Sequence, residues 1–230
     1  MTVTPDDFDA VLFDAGGVLV LPDPTVVAPL LATYGGDTSE ASHRRAHYAG
    51  MAAKSAARSE EMTWDVYNVA YVDVVGVEPE LVDHAAEVLD HTRSAYLWRW
   101  AIPETLGALR ALAARGVPMG VVSNASGQIE ETLRLAGVCQ VGEGPATEMR
   151  VVIDSHVVGV AKPDPRIFEF ALGHFDEFER SRIAYVGDSV MMDIEGGRAA
   201  GLLPILIDPY DDHPDADFAR ITSVADLLSC

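Results

Sequence analysis

Ala10-Val-Leu-Phe13 is a four-residue apolar run that stops at Asp14, just before Gly16 and Gly17. It is too short for a helix and reads as a buried strand that delivers a carboxylate to a tight turn. Three more runs have the same form. Val117 to Val122 ends at Ser123 and Asn124, Ile183 to Val186 ends at Gly187 and Asp188, and Leu203 to Ile207 ends at Asp208. Val151 to Asp154 is a fifth candidate. Apolar strands without polar alternation belong in a parallel sheet covered on both faces. Such a sheet binds its ligand beyond the carboxyl ends of its strands, where Asp14, Ser123, Asn124 and Asp188 gather.

Helical patterns separate these strands. Pro103 to Arg115 opens on proline and stops before Gly116, and Ser126 to Ala136 stops before Gly137. Arg166 to Leu172 follows the Asp164-Pro165 pair, and Asp193 to Ala200 ends at Gly201. Gln140 to Arg150 reads as a loop, and Pro209 to Asp217 as a polar segment. Residues 22–100 break the alternation and read as several helices inserted after the first strand. The expected fold class is therefore α/β: a three-layer parallel-sheet core of residues 1–21 and 101–230, with an inserted helical domain over 22–100.

Charge narrows the function. The chain of 230 residues carries 36 acids and 16 bases, a formal net charge of −20. That balance argues against nucleic acid, whose binding rests on clustered Lys and Arg, and against an anionic membrane surface. No apolar run approaches the roughly 18 residues of a membrane span. The acidic N-terminus does not look like a secretion signal, and two cysteines make no disulfide framework. A cytoplasmic protein, monomer or homodimer, is expected.

Asp14, then Ser123-Asn124, then Lys162 at the head of Lys-Pro-Asp-Pro-Arg-Ile-Phe, then Gly187-Asp188-Ser189 leading to Asp193, occur in that order. With these four segments the chain resembles the haloacid dehalogenase superfamily, most of whose members are phosphatases. The resemblance covers essentially the whole chain and implies a Rossmann-like core with a helical cap over residues 22–100. It implies Asp14 as a nucleophile that forms an aspartyl-phosphate, with Ser123 and Lys162 completing the catalytic set. Ser123 and Asn124 would meet the substrate phosphoryl group. Mg²⁺ would be bound by Asp14, the carbonyl of Gly16 and Asp188, with Asp193 in or near that shell. Carboxylates and a phosphate ester repel one another, and a hard divalent cation with oxygen ligands bridges them. The implied substrate is a small anionic, phosphorylated metabolite.

One position departs from the pattern. The phosphatases place a second aspartate two residues after the nucleophile, as general acid and base; here that position is Gly16. Three readings stay open, in this order: a phosphatase acting on a good leaving group such as a sugar 1-phosphate or acyl phosphate, a 2-haloacid dehalogenase-type hydrolase, and a non-catalytic relative that binds a phosphorylated ligand. A mutase role fits worst.

Ala41 to Arg58 contains no acid in this acidic chain. On a helix, Arg44, His47, Met51, Lys54 and Arg58 share one stripe, and alanines occupy the opposite face. The alanine face is expected to pack on a neighbouring helix and the basic stripe to face outward, either as a solvated face in bulk water or toward the catalytic mouth, where Arg44, Lys54 and Arg58 would recruit an anionic substrate. His43 and His47 have the spacing of a helical metal pair but lack a third ligand, so zinc is not expected. Tyr96, Trp98 and Trp100 read as packing near the return to the core, and Cys139 as structural.

Overall fold

The computed structural model describes residues 3–59, 63–94 and 96–229. Its centre is a six-stranded, all-parallel sheet built from β1 (Ala10–Phe13), β4 (Met119–Ser123), β7 (Val152–Asp154), β8 (Ile183–Gly187), β9 (Leu203–Ile207) and β10 (Ala219–Ile221). The order across the sheet is β10-β9-β8-β1-β4-β7. Successive strand residues face opposite sides. Val11, Phe13, Val121 and Val186 join one buried cluster, while Ala10, Leu12, Val122 and Tyr185 join another with Ile167 and Phe168. Helices α5 (Pro103–Ala114) and α6 (Ile129–Leu135) and helix α8 (Arg166–Leu172) supply the covering layers, joined by the short α7 (Ser155–Val158) and α9 (Gly196–Ala199). The three-layer α/β architecture expected from the apolar runs is present.

The chain leaves β1 for β4 on one side and returns to β8 on the other. The crevice at this reversal of strand order opens at the carboxyl ends of β1, β4 and β8.

Between β1 and α5 lie α1 (Pro24–Ala32), α2 (Glu40–Ala57), α3 (Asp65–Val74) and α4 (Val82–His91). They close on their own cluster, which includes Leu31, Ala46, Tyr67, Tyr71, Val72 and Leu89. Gly50 lets α2 approach α3 closely, because a Cβ there would fall 2.4 Å from the Tyr67 ring.

Three sequence expectations change. Residues 22–100 are not purely helical, since β3 (Trp98–Ala101) pairs antiparallel with β2 (Val20–Pro22) and forms a ribbon at the base of the helical unit. The presumed loop over 140–150 contains a small parallel ribbon, β5 (Cys139–Val141) with β6 (Thr147–Met149). Helix α2 divides its basic stripe: His47, Tyr48, Met51 and Lys54 are buried together with Ala46, while Arg58, Ala56 and Ala57 are exposed. The reason is area, because hiding Tyr48 and Met51 removes far more apolar surface from water than hiding alanines. No described helix is long and apolar enough to cross a membrane.

Candidate active site

Asp14 follows the last residue of β1, Ser123 ends β4 and Asp188 follows β8, so strand geometry alone brings the three together. Lys162 arrives from the loop before α8. Its ammonium lies 3.0 Å from Asp14 Oδ1 and 2.7 Å from Asp193 Oδ1, and it donates to the Tyr185 hydroxyl at 2.8 Å. Asp193 is fully buried; its other oxygen accepts the backbone N–H groups of Asp188 and Ser189 at 3.0 and 2.9 Å. It therefore shapes the loop that presents Asp188 while pairing with the lysine. Carboxylate oxygens of Asp14, Asp188 and Asp193 lie within 4.8 Å of one another.

The electrostatics follow from this crowding. Burial raises the Asp14 carboxyl from its ordinary value to about 7; Lys162 opposes the rise, and Asp193 and Asp188 add to it. A hydrogen bond from Ser123 also favours the ionised form of Asp14. Burial alone would lower the Lys162 ammonium, but Asp14 and Asp193 more than offset that and hold it charged.

The backbone is fitted tightly around the carboxylates. Gly17 has φ +69° and sits so close to Asp188 that a Cβ would lie 1.8 Å from Oδ2. A Cβ on Gly187 would lie 2.1 Å from the Asp193 carboxyl carbon. Glycine at both positions is a matter of space.

A cavity of about 400 Å³ opens over these groups. Asp14, Gly16, Ser123, Asn124, Lys162, Asp188 and Asp193 line the core side. From the helical unit come Met51, Lys54, Trp64, Arg93 and Trp98. The Lys54 ammonium and the Arg93 guanidinium stand 3.8 and 4.0 Å from the Trp64 ring centroid.

Asp14, Gly16, Ser123, Lys162, Asp188 and Asp193 converge. Asn124 reaches the cavity wall, but its carboxamide is held by the main chain of Lys162, accepting from N–H at 2.8 Å and donating to C=O at 3.1 Å. That makes it a brace for the lysine loop. Lys54 lines the cavity, whereas Arg44 and Arg58 do not. Arg44 pairs with Glu104 of α5, and the exposed Arg58 reaches Glu195 at 3.2 Å. The neighbouring Arg45 makes two 2.7 Å bonds to Asp212. These arginines join α2 to the core, and neither Arg44 nor Arg58 reaches the cavity to which they were expected to draw a substrate.

His43 and His47 do not converge as a metal pair. His43 Nδ1 meets the Tyr71 hydroxyl, and His47 Nε2 meets Asp188 Oδ2. Cys139 is buried, and burial pushes its thiol up to about 12, as befits a structural residue.

Sequence reasoning missed Trp98. Its indole faces the cavity, and a Cβ on Gly16 would lie 3.2 Å from two of its ring atoms. The space into which a side chain at position 16 would grow is thus filled by an indole. Trp98 stood out in the sequence as one of three clustered aromatics, but nothing there showed which one turns inward. Trp100 packs on the core, and Tyr96 is exposed. Trp64 and Arg93 carried no sequence signal.

A family profile described as haloacid dehalogenase-like hydrolase matches residues 8–201. Among curated relatives, haloacid dehalogenase-like hydrolase domain-containing protein 3 of Bos taurus is 36% identical over 47% of this chain and 40% of its own length. The phosphoserine phosphatase of Thermus thermophilus is 29% identical over 68% of this chain and 59% of its own. The chain thus spans less than two thirds of these relatives. (S)-2-haloacid dehalogenase 1 of a Pseudomonas species is 25% identical over 96% of both chains. In fold, the chain is similar to a phosphatase from Thermococcus onnurineus, with a TM-score of 0.59, 21% identity and 96% coverage of each. The strand-end carboxylates, the lysine loop and the matched profile over most of its length place this chain in the haloacid dehalogenase-like hydrolase family.

Proposed function

We propose that the chain hydrolyses the phosphate ester of a small metabolite through an aspartyl-phosphate on Asp14, with Mg²⁺ held by Asp14, Asp188 and the carbonyl of Gly16, beside Asp193. The observation that carries this reading is three carboxylates converging on one buried ammonium. One positive charge does not balance three negative ones, and hard oxygen donors at such spacing suit Mg²⁺. When bound, the ion offsets carboxylate and phosphoryl charge and orients the ester.

The residues of the chain then act in two displacements. An Asp14 oxygen attacks phosphorus; the ester P–O bond breaks and its electron pair leaves on the departing oxygen. Ser123 and Lys162 donate to the phosphoryl oxygens as charge develops there. Water next attacks phosphorus, the bond to Asp14 breaks, and the carboxylate is regenerated. The helical unit acts as a cap: Met51, Trp64 and Trp98 exclude water, and Lys54 and Arg93 draw an anion into an otherwise acidic protein.

With Trp98 against Gly16, position 16 offers no carboxyl, and among the described residues the carboxylates lining the cavity besides Asp14 are Asp188 and Asp193. Rates across a phosphate-ester series are therefore expected to track leaving-group acidity. Simple alkyl phosphates should turn over about 10²–10⁴-fold more slowly than aryl or acyl phosphates, the usual worth of a general acid. Equal rates across the series would contradict the mechanism. A second reading, hydrolysis of a carbon–halogen bond, is favoured by the same observation, because halide departs without a proton. One screen separates them: phosphate release that requires Mg²⁺ selects the first, and halide release from 2-haloacids in chelator selects the second.

A linked stability effect is also expected. In the metal-free protein Asp14 has its carboxyl raised from 3.8 to about 7. The folded state therefore binds the extra proton between those values, and this contribution to stability is full below about pH 4 and lost as pH rises through about 7. Mg²⁺ should raise the melting temperature more at pH 8 than at pH 5, where it competes with that proton. An equal rise at both would count against metal binding at Asp14.

A further inference from the structure

We propose that His47, a residue of the helical unit, is a positioning residue for the metal ligand Asp188, so that the affinity of the core for Mg²⁺ is set in part from above. The inference rests on the assignment of Asp188 to the metal shell. His47 Nε2 lies 2.9 Å from Asp188 Oδ2, and Nδ1 lies 3.0 Å from the Tyr67 hydroxyl. The His47 side chain is 1% exposed and that of Asp188 5%.

The chemistry of the partners fixes the direction of each bond. An ionised carboxylate only accepts, so Nε2 carries the proton; Nδ1 then accepts from Tyr67. The imidazole cannot swing away, because Tyr48, Tyr67 and Trp98 meet it with centroids 5.1, 5.8 and 5.3 Å away. Tyr67 is itself wedged against Gly50 of the same helix as His47.

Helix α2 also grips the other side of the site. Tyr48 donates from its hydroxyl to the Gly17 carbonyl at 2.8 Å, next to the Gly16 carbonyl assigned to the ion. Two consecutive residues of one helix thus hold a carboxylate on the β8 loop and a carbonyl on the β1 loop. A carboxylate with one oxygen oriented by a fixed donor enters a coordination shell with less freedom to lose.

The test is calorimetric titration of the full chain with MgCl₂ alone, no substrate present, with chelator-treated protein and melting curves to show that each variant is folded. His47→Phe keeps the ring volume and removes the donor; Mg²⁺ affinity should fall about 10- to 100-fold, the usual effect of losing such a partner. His47→Gln, whose amide N–H can still donate, should recover part of the loss, which packing alone would not produce. Unchanged or tighter binding by His47→Phe, while Asp188→Asn abolishes binding, would overturn the role of His47 and leave the metal site intact. Mg²⁺ heat unaffected by Asp188→Asn would overturn the metal assignment and this inference with it.

Discussion

Asp14→Asn is expected to lower hydrolysis of every phosphate ester about 10⁴-fold or more, the scale on which loss of an essential nucleophile acts, while the protein stays folded. The amide is nearly isosteric with the carboxylate but has no anionic oxygen to attack phosphorus. The fold should tolerate it well, because the native carboxyl is held near pH 7 by burial and by the repulsion of Asp193 and Asp188. Removing one of three crowded charges relieves that repulsion, although Lys162 loses one of its two carboxylate partners. Activity and stability should therefore part company: turnover disappears, and the melting temperature in chelator stays level or rises. Retained turnover would mean that another group attacks phosphorus.

Lys162→Met should do the reverse to stability. The ammonium is 1% exposed and pairs with Asp14 and Asp193. Its loss leaves buried carboxylates without their counter-charge, an omission that costs about 3–5 kcal/mol. The sign of the pH dependence follows from Asp14. Without the lysine, its raised pKa moves higher still, so at pH 5 the carboxyl is protonated and the repulsion is relieved. Urea unfolding should show a large deficit at pH 8 and a smaller one at pH 5. The same small deficit at both values would mean that the lysine does not neutralise these acids. Hydrolysis should also fall sharply, since in the proposed mechanism Lys162 would donate to the transferring group as well as pair with the nucleophile.

The core was legible because its signals are local. Each apolar run ends at the residue that the strand must present, so β1, β4, β8 and β9, and with them Asp14, Ser123 and Asp188, could be read from composition and punctuation. β10 and the ribbon of β5 and β6 did not stand out because Arg220, Gln140 and Glu148 interrupt them with polar residues. Lys162 was legible through its segment, whereas Tyr185 was hidden as one more large residue in a buried strand. The helical unit was harder. A stripe of cations says nothing about which face turns inward, and the decision went to the bulky Tyr48 and Met51 rather than to the alanines. The links between His47 and Asp188, and between Trp98 and Gly16, join residues far apart in sequence. They exist only once α2 and β3 lie over the crevice, so no spacing in the chain announces them.

The most direct measurement follows one oxygen atom. In a single turnover of an aryl phosphate in oxygen-18 water with Mg²⁺, the proposed mechanism puts the second displacement at phosphorus. The label should appear in the released phosphate and be absent from the peptide that contains Asp14. Label found instead in the Asp14 carboxyl would place the attack of water on the carbonyl carbon rather than on phosphorus, and an acid-quenched Asp14 peptide that never carries a phosphoryl group during turnover would contradict the aspartyl-phosphate.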